Sequence, residues 1–318
     1  MNKRTWAAIG SIALTGLALA ACTPAAESDE LVLVFTPSVE ADVIASKGDE
    51  LAALLTEELG MTVTTFPVDT YPAAVTAFET GQAQIGMLAP ALMVAAVDRA
   101  GAEEVLQVSR FGGSTYVTQW MTTDPDRFCL TDVVVVDGMS FCNGTDVSPA
   151  SGPVGEDALE LLTPDDAIAF VEADSASGYY FPVTQLIDLG VVMGPDDLTE
   201  AFFAGGHPDA VLALSRGEAV VGTSFNDARE SVLEEVPTIG EDVVVFAWSA
   251  DIPNDGIAVA GDLSDELKQA ITDAFVSIAS TEDGLAILDE LYNVEALVPA
   301  DLSTLDVVRQ VVENFPDA

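Results

Sequence analysis

Positive charge is scarce in this 318-residue chain: 10 Lys and Arg stand against 53 Asp and Glu, a formal net charge of −43. That balance excludes nucleic acid as a partner, because its phosphates would be repelled over most of the surface. Histidine is scarcer still, with His207 alone, and the cysteines are only Cys22, Cys129 and Cys142. Metal-ligand spacing is missing, so neither a metal centre nor a resident cofactor is expected. The chain has no Gly-x-Ser-x-Gly elbow, and one histidine leaves at most one Ser-His pairing. An enzyme is therefore not expected. Internal repeats are also absent, and low complexity is confined to a short segment near the N-terminus.

Against these absences stands a chain that is 49% apolar, long enough for two domains with sizeable cores. Lys3 and Arg4 precede an apolar stretch from Trp6 to Ala21, too short and wrongly flanked to span a membrane. It ends Leu19-Ala20-Ala21-Cys22, which resembles a bacterial lipoprotein cleavage box. Residues 1–21 then read as a signal peptide, Cys22 as the lipid-modified first residue, and 22–30 as a tether. The expected location is extracytoplasmic, held at the cell membrane by the lipid. Outside the reducing cytoplasm, Cys129 and Cys142 are expected to form a disulfide across a small loop.

Along the mature chain, apolar runs alternate with helical periodicity. Leu31–Phe35 reads as a buried strand, Leu51, Leu54, Leu55 and Leu59 as one helix face stopped by Gly60, and Met61–Phe66 as a strand. Asp69-Thr70-Tyr71-Pro72 reads as a helix start, Gln84–Leu88 as a strand, Ala91–Val97 as a helix and Val105–Val108 as a strand. The pattern predicts an α/β domain with a mostly parallel sheet. Tyr116–Met121 then crosses into a second α/β unit containing strands at Val133–Val136, Ala167–Val171, Leu198–Phe203 and Ala219–Gly222. Val243–Trp248 is the candidate return crossover, followed by a strand at Gly256–Ala260 and helices from Ser264 onwards.

One stretch has two readings. Asp174-Ser175-Ala176-Ser177-Gly178-Tyr179-Tyr180-Phe181-Pro182 lies between a strand and a helix. Unpartnered N–H groups, the positive end of the helix dipole and two hydroxyls could hold an anion there. Equally, Ser177 could simply cap the helix. Thr70-Tyr71, Gly205-Gly206-His207 and Asn226-Asp227 sit at comparable positions, at strand ends or helix starts, where open α/β sheets place ligands. Asp227 likewise has a bland reading as the cap of a helix starting at Ala228.

Ser-x-Ser-Gly-Tyr-x-x-Pro at 175–182, Phe-x-Gly-Gly-His from Phe203, Phe-Asn-Asp-Ala-Arg from Phe225 and Ile252-Pro253-Asn254-Asp255 come in this order. Together they resemble the phosphate/phosphite/phosphonate-binding proteins of ABC importers, over about residues 31–312. The resemblance implies a two-lobed, type II periplasmic-binding-protein-like α/β fold hinged on two crossover strands. Lobe 1 would comprise 31–118 and 249–318, and lobe 2 residues 119–248. It implies a lipid-anchored monomer that captures a phosphorus oxyanion and hands it to an ABC permease and its ATPase. A sensory protein of the same fold, presenting a different ligand to a membrane kinase, is the alternative.

Carried over residue by residue, Ser175 and Ser177 with the N–H groups of Ser177 and Gly178 would hold the oxyanion. His207 and Asn226 would contribute from their own turns, and Tyr71 from the opposite lobe, with Thr36 and Ser38 as weaker candidates. Asp227, a carboxylate beside an anion, would select a protonated oxyanion or a ligand amine. No Lys or Arg is placed in these turns, which favours binding through neutral donors. Two departures stand out: Ala176 removes a hydroxyl, and Leu92 and Met93 stand where the family usually has Ser-Tyr. An apolar wall through Met93, able to admit an organic tail, is the expected consequence.

Overall fold

The computed structural model describes residues 30–110, 112–147 and 152–315. The expected signal peptide, Cys22 and most of the tether lie outside them. Among the described residues no helix is long and apolar enough to cross a membrane.

Alternation of apolar runs with helical periodicity builds the first half. Strand β1 (Glu30–Phe35) leads to helix α1 (Ala41–Leu59), whose Leu51 and Leu55 are buried and whose end is set by Gly60 at φ 65°. Strand β2 (Thr62–Phe66), helix α2 (Tyr71–Glu79), strand β3 (Ile85–Leu88), helix α3 (Pro90–Ala100) and strand β4 (Glu103–Ser109) follow. Pro72 and Pro90 occupy first-turn positions of their helices, where a missing N–H costs nothing.

The chain leaves this unit through β5 (Thr115–Tyr116) and enters β6 (Thr118–Thr122). Strands β7 (Val134–Val136), β8 (Met139–Phe141) and β9 (Ile168–Phe170) come next. A π-turn at Ala176–Tyr180 runs directly into α4 (Phe181–Asp188). Strand β10 (Phe202–Phe203), helix α5 (His207–Ser215), strand β11 (Val221–Phe225) and strand β12 (Val244–Trp248) complete the second unit. The return passes through β13 (Ile252–Pro253) to β14 (Gly256–Val259), α6 (Asp265–Ala279), α7 (Glu282–Tyr292), β15 (Ala296–Pro299) and α8 (Thr304–Val312).

These strands form a six-stranded sheet, β15-β4-β14-β3-β1-β2, and a seven-stranded sheet, β10-β9-β11-β6-β12-β8-β7, joined by the β13-β5 ribbon. In the first sheet β1 is parallel to β2 and β3, while β14 runs antiparallel between β3 and β4. A strand from the end of the chain thus completes the sheet begun at its start, which makes the first lobe discontinuous in sequence. The apolar face of that sheet packs on α1, α6 and α7 through Leu33, Leu51, Leu55, Ile271, Phe275 and Leu291. A second cluster continues from α2 and α3 through Tyr116 and Ile252 to Phe128, Phe170 and Phe246 of the second lobe.

One sequence expectation about the fold, the strand end at Gly222, needs correction. The expected crossover segments Tyr116–Met121 and Val243–Trp248 run into the second sheet as β6 and β12, beside the ribbon that pairs Ile252 with Tyr116 and Pro253 with Thr115. The strand expected at Val133–Val136 is β7, the exposed outer arm of an antiparallel hairpin with β8, turned at Asp137-Gly138, with Val135 60% exposed. The strand expected to end at Gly222 runs on to Phe225, where Thr223 and Ser224 are buried among their neighbours in the sheet. Cys129 and Cys142 are bonded, as expected from the sequence. A cross-link over so short a loop contributes about 3 kcal/mol by constraining the unfolded chain.

Candidate functional site

The second lobe's contribution begins with the 175–180 turn. Ser175 caps it, its Oγ accepting from the Gly178 N–H at 3.1 Å while its carbonyl accepts from Tyr179 and Tyr180. Hydroxyls from two central strands then pin the turn's carbonyls: Thr118 Oγ1 donates to Ser177 O at 2.9 Å and Thr223 Oγ1 to Gly178 O at 2.8 Å. A glycine is required at 178, since a Cβ would stand 2.4 Å from Val171 and 2.7 Å from Ser175 Oγ. The cap is Ser175 rather than the expected Ser177, and Ser175, Ala176 and Ser177 line a cavity between the lobes.

Pro208 in the first turn of α5 follows His207, which the helix start points into the same cavity. Its Nδ1 lies 2.7 Å from Ser224 Oγ, and its Nε2 lies 3.4 Å from Tyr71 Oη of the opposite lobe. Burial, with the nearby positive charge of Arg110, pushes the imidazole down to about 3, so it is neutral at physiological pH. A neutral ring has one donor and one acceptor nitrogen, and its two nitrogens face Ser224 Oγ and Tyr71 Oη.

The first lobe supplies Tyr71 from the start of α2, Ser38 from the β1–α1 loop, and Arg110 from the end of β4. Burial pushes the Tyr71 hydroxyl well up, helped by the charges of Tyr116, Glu172 and Asp255 and opposed by a hydrogen bond with Ser175. It is thus a firm donor. Arg110 is buried, lies over the Tyr116 ring at 4.3 Å, and donates through Nε to Asn254 Oδ1 at 3.0 Å. Its one carboxylate neighbour in the cavity, Asp255, stands 3.8 Å away, too loose for a saturated ion pair. Burial raises the Asp255 carboxyl despite Arg110. Tyr292 and Asn293, at the end of α7, close the far side, with Tyr292 Oη donating to Thr36 O at 2.6 Å.

The lobes meet around this cavity. Glu172 accepts from the Tyr71 N–H at 3.4 Å, Asn314 donates to Thr184 at 3.2 Å, and Phe315 packs on Tyr179 and Tyr180 with ring centroids 5.1 and 4.8 Å away. The cavity has a volume of about 30 Å³. About two waters would fill that space.

The structure thus brings together Ser38, Tyr71, Ser175, Ser177 and His207, but not the other expected residues. Gly178 spends its N–H on Ser175. Thr36 is a structural pin, its Oγ1 accepting from Ala89 N at 2.8 Å. Met93 is buried beside Gly256, away from the cavity. Asn226 accepts from Val117 N at 3.4 Å, next to the interlobe ribbon. Asp227 caps the following 3₁₀ turn and forms a bidentate ion pair with Arg229, whose side chain is fully buried and also donates to Ser140 O and Val243 O. Nor is the cavity free of basic residues: Arg110 reaches it. Its signal was legible, an arginine at a strand's carboxyl end in a chain with very few cations. Among the described residues, no group of His, Cys, Asp and Glu could hold a metal ion.

A sequence profile of the family described as "ABC transporter, phosphonate, periplasmic substrate-binding protein" matches residues 33–305. The chain is 27% identical over 162 residues to the phosphate-import protein PhnD of Mycolicibacterium smegmatis; the match covers 46% of this chain and 50% of that relative. Among solved structures, PhnD1 of Prochlorococcus marinus in complex with methylphosphonate superimposes with a TM-score of 0.74 at 16% identity, covering 91% of this chain and 99% of the other. The binding component of a phosphonate ABC transporter from Pseudomonas aeruginosa gives 0.71 at 16% identity, over 91% and 89%. At these identities the structural likeness establishes the fold, the two-lobed arrangement of type II periplasmic binding proteins.

Proposed function

The chain belongs to the family of periplasmic substrate-binding proteins of phosphonate ABC transporters, and from that premise we propose that it captures a small phosphorus oxyanion between its lobes for delivery to an ABC permease and its ATPase. One observation carries this reading. A small polar cavity has polar side chains converging from both lobes, Tyr71 and Arg110 from one side and Ser175, Ser177 and neutral His207 from the other. Anion binding then draws the lobes together, because neither half completes the donor set alone.

In this reading Arg110 supplies the single positive charge, and Asp255 accepts a hydrogen from a protonated ligand oxygen or an ammonium group. That combination favours a monoprotonated oxyanion over a dianion, through the logic assigned from sequence to Asp227. The lobes comprise residues 31–118 with 249–318, and 119–248, and flex at the β5–β13 ribbon. The protein acts as a monomer outside the cytoplasmic membrane, anchored by lipid on Cys22.

Titration calorimetry and thermal unfolding with phosphate, phosphite and methylphosphonate, with sulfate as control, test the assignment. A phosphorus oxyanion at a hundred times its Kd should stabilise the fold by about 2.7 kcal/mol. Stabilisation by none of them would remove the ligand class.

A further inference from the structure

Beside the polar cavity lies a larger apolar groove, confined to the first lobe. Phe35, Pro37, Ile44, Ala45, Phe66 and Val68 are among its lining residues, and its volume is about 360 Å³ against about 30 Å³ for the polar cavity. That is within the roughly 300–1,000 Å³ of ordinary small-molecule sites, whereas the polar cavity is an order of magnitude smaller. The two are neighbours: Val39 lines both. The same two loops bound both, with Ser38 and Tyr71 turned to the polar side and Pro37 and Asp69 to the apolar one. At the rim Asp49 accepts from Thr65 Oγ1 at 2.8 Å, and Asp69 adds a second carboxylate.

We propose that this groove receives an apolar alkyl or aryl substituent of a ligand whose phosphoryl head occupies the polar cavity. The inference rests on the phosphorus-oxyanion reading above and narrows its ligand class to organophosphonates or phosphate monoesters with an uncharged tail. Two properties of the groove support it. Its surface gains from excluding water only against another apolar group. Its acidic rim repels a second anionic group, so a tail ending in carboxylate is disfavoured. The organic tail anticipated at Met93 thus finds its apolar wall at Ile44 and Phe66 instead.

The test is calorimetry on the whole mature protein with methyl-, butyl- and hexylphosphonate, hexyl phosphate and 3-carboxypropylphosphonate. Kd is expected to fall by roughly fourfold per added methylene, as each leaves water. 3-Carboxypropylphosphonate should bind more weakly than butylphosphonate. Hexyl phosphate and hexylphosphonate, compared directly, identify which head is preferred. In Ala45→Trp, which fills the groove from the exposed side of α1, methylphosphonate should keep its Kd while the gain with chain length disappears. Ile44→Asp should do the same through charge. Affinity that is flat or falls with chain length in the wild type, or a gain that survives in both variants, overturns the inference while methylphosphonate binding leaves the oxyanion site standing. Failure of every phosphonate with phosphate or phosphite still bound overturns the inference alone; failure of phosphate, phosphite and every phosphonate overturns the oxyanion reading itself.

Discussion

Two turns of the second lobe make a useful contrast. Ser175–Ser177 follows β9, and Asn226-Asp227 follows β11, the neighbouring strand of the same sheet. In sequence both are short polar stretches after a strand, with comparable claims on a ligand. In space they differ in what has already been satisfied. The first turn spends one hydroxyl and several carbonyls on fixing itself, and still presents Ser175, Ala176 and Ser177 to a cavity. The second turn meets Arg229 two residues on, and that guanidinium takes both oxygens of Asp227. A polar turn is a binding site only when its neighbours leave it something to bind with.

The largest effect is expected from breaking the satisfied turn. Arg229→Leu leaves Asp227 mostly buried without its counter-charge, along with two carbonyls without a donor, and should cost about 3–5 kcal/mol in denaturant unfolding. Oxyanion affinity in the folded fraction should be unchanged. If stability holds but affinity is lost, the two turns have been assigned the wrong way round.

On the ligand-facing side, His207 is held neutral by burial and by Arg110. Its folded value, about 3, lies below the ordinary 6.5, so its contribution is complete above pH 6.5 and is lost as acid protonates the unfolded chain first. By pH 5 that loss should reach about 2 kcal/mol, read from unfolding at successive pH values. His207→Gln should flatten the decline between pH 6.5 and 5. A decline of equal slope in the variant would assign it elsewhere.

Arg110→Met should weaken oxyanion binding by about 2 kcal/mol, some thirtyfold in Kd, since a hydrogen bond to a charged group is lost. Titration at two salt concentrations would show the variant to be the less salt-sensitive. Smaller still is Ser175→Ala, which removes the cap accepting from Gly178 and should lower stability by about 1 kcal/mol.

Much of this fold was legible because the apolar pattern and the helix stops were consistent with each other: Leu51 and Leu55 before Gly60, and the proline starts of α2 and α3. What misled was local polarity. Thr223, Ser224 and Phe225 read as a turn, yet hydroxyls in a central strand are tolerated where they pin a neighbouring turn, as Thr223 does. The valines 133–136 read as a strand, and an Asp-Gly turn makes that strand the exposed arm of an edge hairpin. At the site, Tyr71, Ser175, Ser177 and His207 were found because their turns carry recognisable chemistry. Tyr116, Tyr292 and Asn293 come from the ribbon and the end of α7, where no local pattern marks a ligand. Arg110 could have been noticed, and Asp227 could have been discounted with Arg229 two residues away. Only the folded chain shows which polar groups are already satisfied.

The contrast between the turns comes down to one measurement, methylphosphonate titrated into Ser177→Ala and Asp227→Asn beside the wild type. The account predicts about tenfold weaker binding for Ser177→Ala, the loss of one hydrogen bond to an anion, and an unchanged Kd for Asp227→Asn. Unchanged binding by the serine variant with a large loss in the aspartate variant would contradict it.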